Sequence, residues 1–375
     1  PNWKPLGEWW RTHQYRQQYD STAFDPAEPA VFDGKLNIWR GFTVEPEPGD
    51  WSAMRRHVLD VLANGDHTHA EYILKWAAYA VQHPDQPAGV AVVFRGGQGT
   101  GKGTFVRWLG RLFGQHFQHV PHIDHVTGKF NAHLEDCVLL FGDEACCVSD
   151  TRAIGQLKGR ITEPSFPLER KGVDIKSVEN RLHIIMASNS EWVVPADVDD
   201  RRFVVFDVSD HRRNDNPYFN AINSQMATGG LAAMLHDLQQ MDLGEWRPWV
   251  NPPKTAALRD QQVESLTGMA RAWFGYLSQG EIEFGVPQEG GRVFVATNEF
   301  ARQTELDRRK VTDFLKTPPD RGRGQMVSMG FPDDRLPQLG RGIVVPPLTE
   351  ARAKWDEMMF PVDWDDADGW EVPGV

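Results

Sequence analysis

Val90-Ala91-Val92-Val93-Phe94-Arg95-Gly96-Gly97-Gln98-Gly99-Thr100-Gly101-Lys102-Gly103-Thr104 is the stretch that decides the fold. Val90 to Phe94 is an unbroken apolar run of strand length, and Thr104 to Phe113 has the spacing of an amphipathic helix closed by Gly114. The glycines between them let successive backbone N–H groups converge on phosphate oxygens. The helix beginning near Lys102 aims the positive end of its dipole at the same place, where the Lys102 ammonium bridges the terminal phosphates. Strand, glycine-rich turn and helix in this order predict a nucleoside triphosphate site made of Gly97, Gln98, Gly99, Thr100, Gly101, Lys102, Gly103 and Thr104.

One position departs from the usual loop. Ser or Thr normally follows the Lys and ligates magnesium, but Gly103 stands there and Thr104 comes one residue later. The order Gly-Lys-Gly-Thr also occurs in loops of adenylate-kinase type, where the metal is held largely through water. Thr104 is therefore a candidate magnesium ligand alongside Asp143, and ATP with Mg2+ is the expected cofactor pair.

Three further apolar runs, Val138 to Phe141, Leu182 to Ala187 and Phe203 to Val208, suit a parallel sheet covered on both faces. Polar residues stand at or just beyond their ends, where ligands bind in open α/β sheets. Asp143-Glu144 after the first run predicts a metal-holding carboxylate, Asp143, and a base for the attacking water, Glu144. Asn189 after the second can sense the terminal phosphate, because an amide donates and accepts at once. Arg201 and Arg202, before the third, are either surface partners of Asp199 and Asp200 or a finger reaching the nucleotide of an adjacent subunit. Between Glu144 and Asn189, Leu168 to Lys176 alternates around Gly172 and predicts a β-hairpin with a basic tip. Lys171 is the first candidate there for a nucleic-acid phosphate, with Arg170 and Lys176 next.

Around this core the chain divides into an irregular Trp- and Pro-rich arm over 1–50, a helical module over 51–88, an ATPase core over 89–250 and a C-terminal domain over 251–375. The last is mainly helical: it begins with a helix carrying Met269, Trp273, Phe274 and Leu277, continues with Phe294 to Gln303, and then has a helix opened by Asp307 and running through Val311, Phe314 and Leu315, the basic Arg321-Gly322-Arg323-Gly324 and a strand-like Gln325 to Ser328. Two helices followed by a hairpin with a basic tip outline a winged helix.

The 375 residues are 40% hydrophobic and 25% charged, enough for a large core in two or three domains. A net charge of −12 argues against a uniformly basic nucleic-acid coat, although a ring can multiply a few inward cations. The three cysteines, Cys137, Cys146 and Cys147, cannot all pair, and reduced thiols are expected. His116, His119, His122 and His125 recur at every third position, but Pro121 interrupts any shared helical face, so solvent-facing loop histidines are expected rather than a zinc site. No apolar segment approaches the roughly 18 to 20 residues that cross a bilayer and no leader pattern opens the chain, so no membrane partner and a cytoplasmic location are expected.

The order of these motifs resembles the superfamily 3 helicases, compact AAA+ ATPases of small viruses, phages and plasmids, and above all their phage primase-helicase branch. The likeness is carried by Gly97 to Phe105, by Gly128-Lys129-Phe130-Asn131-Ala132-His133-Leu134, by Asp143-Glu144-Ala145, and by Asp199-Asp200-Arg201-Arg202-Phe203. It is strong over about 90–210 and weak over 1–50. The resemblance implies an α/β fold with an AAA+ P-loop core and parallel sheet, preceded by a small helical module and followed by a mainly helical, winged-helix-like domain. It implies a homo-oligomeric ring, a hexamer in that family, with ATP sites between subunits, translocating 3′ to 5′ on single-stranded or forked DNA beside a primase or polymerase. Two other readings stay open: an ATP-switched DNA-binding initiator or clamp that does not unwind, and a nucleotide-kinase-like phosphotransferase.

Overall fold

The structure is a computed structural model and describes residues 5–121, 124–128, 130–143, 151–172, 174–190, 194, 196, 200–316 and 328–373. The chain forms two compact units, one of Pro1–Val194 with Arg201–Leu258 and one of Pro195–Asp200 with Arg259–Val375.

The first unit is built on five parallel strands: β1 (Ala91–Arg95), β2 (Phe117–Val120), β3 (Leu139–Gly142), β6 (His183–Ser188) and β7 (Phe203–Asp207), in the order β7-β1-β6-β3-β2. Each apolar run of the sequence lies on one of these strands within a residue of its expected bounds. Both faces are buried, which is why the strands read as continuous apolar runs rather than alternating ones. Val92, Phe94, Leu139, Phe141, Ile185, Val204 and Phe206 share one core cluster with α1 (His67–Gln82) and α2 (Lys102–Phe113). Ala91, Val93, Leu140, Ile184, Met186 and Val205, alternating with them, are equally sealed. Each such side chain contributes about 2 kcal/mol of apolar burial, which fixes the strand register.

The segment before β1 packs on this sheet. Ser52–His57 is helical and continues into a π-helical turn over Val58–Leu62, then the Asn64-Gly65 turn, both residues with positive φ, leads to Asp66, whose side chain accepts the His69 N–H at 2.9 Å and caps α1. Trp76 in α1 is buried and donates its indole N–H to Val90 O at 3.0 Å, tying the helix to the start of β1. Between β3 and β6 come α3 (Thr151–Thr162) and an antiparallel pair, β4 (Ser165–Leu168) and β5 (Lys176–Glu179), in which Leu168 faces Lys176. Leu168 and Lys176, the ends of the expected hairpin, are thus its innermost pair, and the strands extend outward from them, with Phe166 and Leu168 buried. After β7 follow α4 (Asn216–Gln225), capped by Asp215, and α5 (Leu231–Gln240).

The second unit runs α6 (Gly268–Gln279), β8 (Val286–Pro287), β9 (Val293–Ala296), α7 (Thr297–Gln303), α8 (Arg308–Leu315), β10 (Asp333–Leu336), β11 (Gly340–Val345) and α9 (Leu348–Met358). Its sheet is antiparallel, in the order β8-β9-β11-β10. The region is less helical than expected. Phe294 to Ala296 is a strand because it pairs with Gly342 to Val344 of β11, and the hairpin that follows α8 lies at β10–β11. The basic stretch Arg321 to Gly324 and Gln325 to Val327 lie outside the described residues. Trp273, Phe300, Val311, Leu315, Ile343 and Trp355 form the core. Arg352 is buried beside it, and its guanidinium donates to Leu277 O, Asp365 O, Ala367 O and the Asp365 carboxylate, so the charge is fully hydrogen-bonded.

Two buried histidines make the first unit sensitive to acid. His183 donates Nδ1–H to Arg181 O and lies against the Trp76 and Tyr79 rings, and burial pulls its pKa from 6.5 to about 4; burial does the same to His57, also to about 4. Above the unfolded value both rings are neutral in either state and cost nothing. Between 6.5 and 4 the unfolded chain takes up protons that the fold refuses, so stability falls as pH falls, by about 1.4 kcal/mol per unit for each ring. Urea denaturation of the chain across this window should show stability falling with pH, and His183→Gln should lessen the slope by the share of one ring; an unchanged slope would place the proton uptake elsewhere.

Candidate functional site

The turn between β1 and α2 is shaped by close approaches that only glycine allows. Gly99 and Gly101 have φ of 81° and 96°. A Cβ on Gly101 would stand 2.6 Å from Phe219 Cε1 and 2.8 Å from His57 Cε1, and one on Gly99 would stand 2.2 Å from Asn214 Oδ1. Asn214 N–H donates to Gly99 O at 3.0 Å, and Thr100 is buried with its hydroxyl on Gly97 O at 2.9 Å. His57 Nε2 lies 3.1 Å from Gly101 O and Nδ1 lies 3.2 Å from the Tyr218 hydroxyl. A carbonyl can only accept, so Nε2 carries the proton and Nδ1 accepts from Tyr218, in keeping with a ring that burial keeps neutral.

Lys102 is 8% exposed, and its ammonium donates to Gly96 O at 2.6 Å, Gly97 O at 2.7 Å and Asn189 Oδ1 at 2.7 Å. Asn189 follows the last residue of β6, the strand beside β1, so two residues far apart in the chain meet because their strands are neighbours. Thr104 is buried in the first turn of α2, with its N–H on Gly101 O at 2.9 Å. Asp143 follows β3 and lies 3.3 Å through Oδ2 from His119 Nε2; the His119 ring stacks on Phe141 at 5.0 Å. Lys102, Thr104, Arg107, Asp143, Asn189 and Asn214 line one cavity of about 960 Å³, at the upper end of ordinary ligand pockets, together with Gln98, Gly99, Thr100, Gly101 and Gly103.

Glu144 and Asp199 lie outside the described residues. Arg201 is exposed. Arg202 is half-buried, and its carbonyl accepts the Ala91 N–H at 2.8 Å, which sets β7 beside β1. Lys171 is exposed on the loop of the hairpin, next to Gly172 with φ 76°. Arg170 and Lys176 both hydrogen-bond the Glu135 carboxylate; burial alone would raise that carboxyl, but the bonds from Lys176 and Arg170 outweigh it and hold it low. The two cations expected to follow Lys171 thus have an internal carboxylate, through half-exposed ion pairs worth at most about 1 kcal/mol each. Asn131 is buried below them, donates to Pro167 O at 2.9 Å and accepts the Glu169 N–H at 2.8 Å, pinning the hairpin to the segment before β3.

His57, Asn214, Tyr218 and Phe219 are site residues that the sequence does not announce. His57 sits among the core positions of its helix, and Asn214 shows only as part of an Asn-Asp-Asn-Pro turn. His116 departs from the expectation of a solvent-facing ring: it is sealed, accepts the Arg40 N–H at 3.1 Å and faces Asp136 O at 2.8 Å, so it fastens the N-terminal arm to the sheet. His122 and the side chain of His125 lie outside the described residues.

Residues 94–202 match the model of a family of unknown function, DUF5906. That span opens at the end of β1 and closes at Arg202, and so contains the loop, Asp143, the hairpin and Asn189. The chain is also similar to the DNA primase-polymerase of Nitratiruptor phage NrS-1, 28% identical over 195 residues. The match covers 49% of this chain and 27% of that protein, so it spans about a quarter of the relative's length. Among solved structures, the A form apo structure of the NrS-1 C terminal region superposes with a TM-score of 0.60 at 15% identity, covering 88% of this chain and 85% of that one. A second NrS-1 C terminal region structure gives a TM-score of 0.56 at 20% identity over 70% of this chain and 63% of that one. The chain therefore shares its fold with the C-terminal region of a phage protein. Among the described residues no helix is long and apolar enough to cross a membrane.

The His57 bridge has a measurable consequence. His57→Leu removes both bonds of the bridge, with Gly101 O keeping only the Thr104 N–H, and should cost about 2 kcal/mol of stability, whereas Tyr218→Phe, which removes only the outer bond, should cost about 1 kcal/mol. Chemical denaturation followed by tryptophan fluorescence distinguishes the two, and equal or negligible losses would mean that the bridge does not form in solution.

Proposed function

We propose that this chain is the ATP-hydrolysing part of a phage or mobile-element replication protein, an AAA+ core of superfamily 3 type that acts on DNA. The observation that carries the reading is convergence: the left-handed glycine turn, the Lys102–Asn189 hydrogen bond at 2.7 Å and Asp143 come from three separate stretches and face one cavity. The glycine cradle suits a triphosphate, since Gly99 and Gly101 admit no side chain and leave the loop amides to phosphate oxygens. In this reading Lys102 exchanges its carbonyl partners for the terminal phosphates. Asp143, with Thr104, would hold magnesium, which supplies charge neutralisation to the phosphates. Glu144 deprotonates the attacking water, Asn189 orients it, and Arg201, the exposed member of the arginine pair, reaches the site of an adjacent subunit. Similarity to a phage primase-polymerase supports the replication role.

Coupling to DNA runs through the hairpin. Asn131 and Glu135 hold its base while Lys171 stands exposed, a placement that suits contact with the phosphates of a single strand in a ring, a hexamer by family resemblance, working beside a primase or polymerase. In the second unit, α6-β9-α7-α8-β10-β11 follows the order of a winged helix, with Arg308, Arg309 and Lys310 exposed at the start of α8, and we read it as a duplex-facing module.

ATP turnover and strand separation on forked DNA test the whole reading. Lys102→Ala and Glu144→Gln should each lower turnover at least a hundredfold, the Glu144 variant still binding ATP. Lys171→Ala should keep basal turnover and lose its stimulation by DNA. A wild-type chain that binds ATP and DNA without separating strands would mark an ATP-switched clamp instead, and one with no turnover under any condition would overturn the ATPase assignment.

A further inference from the structure

Gly103, where the loop departs from the usual hydroxyl residue, is not a glycine for backbone reasons. It lies inside α2 and is absent from the positive-φ glycines, so an L side chain suits its conformation. The three atoms nearest to a Cβ built there all belong to one group, the Arg107 guanidinium, with Nη1 at 2.3 Å, Cζ at 3.1 Å and Nη2 at 3.5 Å. Arg107 is four residues on, and helical side chains lean toward the N-terminus, so its head returns over the turn that carries Lys102.

We propose that Arg107 is a phosphate-binding residue of this site, and that Gly103 is glycine because the guanidinium occupies the space above it. The assignment rests on the nucleotide reading of the loop and extends it to a second cation acting in cis. Arg107 lines the same cavity as Lys102 and Asp143 and is exposed to it. Among the described residues it has no carboxylate partner, whereas Arg170, Arg212 and Arg302 each hold one. Arg111, one turn further along the same face, also lines the cavity but lies over the Trp108 ring at 3.9 Å, whereas among the described residues no ring or carboxylate holds Arg107. A guanidinium presents a planar fork that matches two phosphate oxygens at once. A loop without a hydroxyl next to its lysine thereby gains a fixed positive charge in place of a metal ligand.

The test is equilibrium binding of ATP to the full chain, in Mg2+ and again in EDTA, with thermal melting as the control for folding. Arg107→Ala should weaken ATP at least tenfold in both conditions at an unchanged melting temperature. Arg107→Lys should recover part of the loss, since it restores the charge without the fork. Gly103→Ala should also weaken binding, by displacing the guanidinium, while its melting temperature stays level or rises. Binding by Arg107→Ala within twofold of wild type, with Lys102→Ala abolishing it, would overturn this inference and leave the loop assignment standing. A loss confined to Mg2+ would also overturn it, because the arginine would then act through the metal ligands. A wild-type chain that fails to bind ATP in either condition would overturn both.

Discussion

The parallel pairing of β1, β6 and β3 is the constraint on which the site depends. These three strands are consecutive in the sheet and point the same way, so whatever follows each of them emerges at one edge. After β1 comes the glycine turn, after β6 Asn189 and after β3 Asp143. No local preference of these residues would bring them together; the sheet does so because both of its faces are buried, and a one-residue slip would move apolar side chains out of both cores. The Lys102–Asn189 bond is the direct record of this alignment.

The elements flanking the sheet complete the turn rather than simply covering it. The helix before the π-helical turn at Val58–Leu62 supplies His57, and the segment after β7 supplies Asn214, Tyr218 and Phe219. Together they pack against Gly99 and Gly101, and Asn214 and Phe219 also reach the cavity wall. π-helical turns are rare and concentrate at functional positions. Here one immediately follows His57, while Met226–Gly230, which includes Ala227 of the cavity wall, is a kink between two helices with Gly229 at φ 103°.

Charge is distributed unevenly in a chain whose net value is −12. Lys102, Arg107 and Arg111 line the cavity, with Asp143 as the carboxylate among the described lining residues. The hairpin shows the opposite economy. Glu135 takes up Arg170 and Lys176, while Lys171, exposed on the loop, holds no carboxylate among the described residues. Asn131, within the Gly128–Leu134 stretch, works as a backbone mimic that fixes the hairpin base.

The sequence by itself determined the strands, the glycine turn and the helix after it, since continuous apolar runs, left-handed glycine positions and 3.6-residue spacing are local signals. It also marked Lys102, Asp143 and Asn189, because each stands directly beside an element that those signals define. The tertiary structure alone decided who touches the turn: His57 looks like any core position of its helix, His116 like a loop residue, and Arg107 like a solvated face. It also moved the hairpin strands outward from Leu168–Lys176 and made Phe294 to Ala296 a strand, because pairing partners lie far away in the chain. Gly103 shows the division most clearly. Its departure from the usual pattern is visible in the sequence, but its reason, a guanidinium one helical turn away, depends on side-chain direction and close approach, which no one-dimensional pattern encodes.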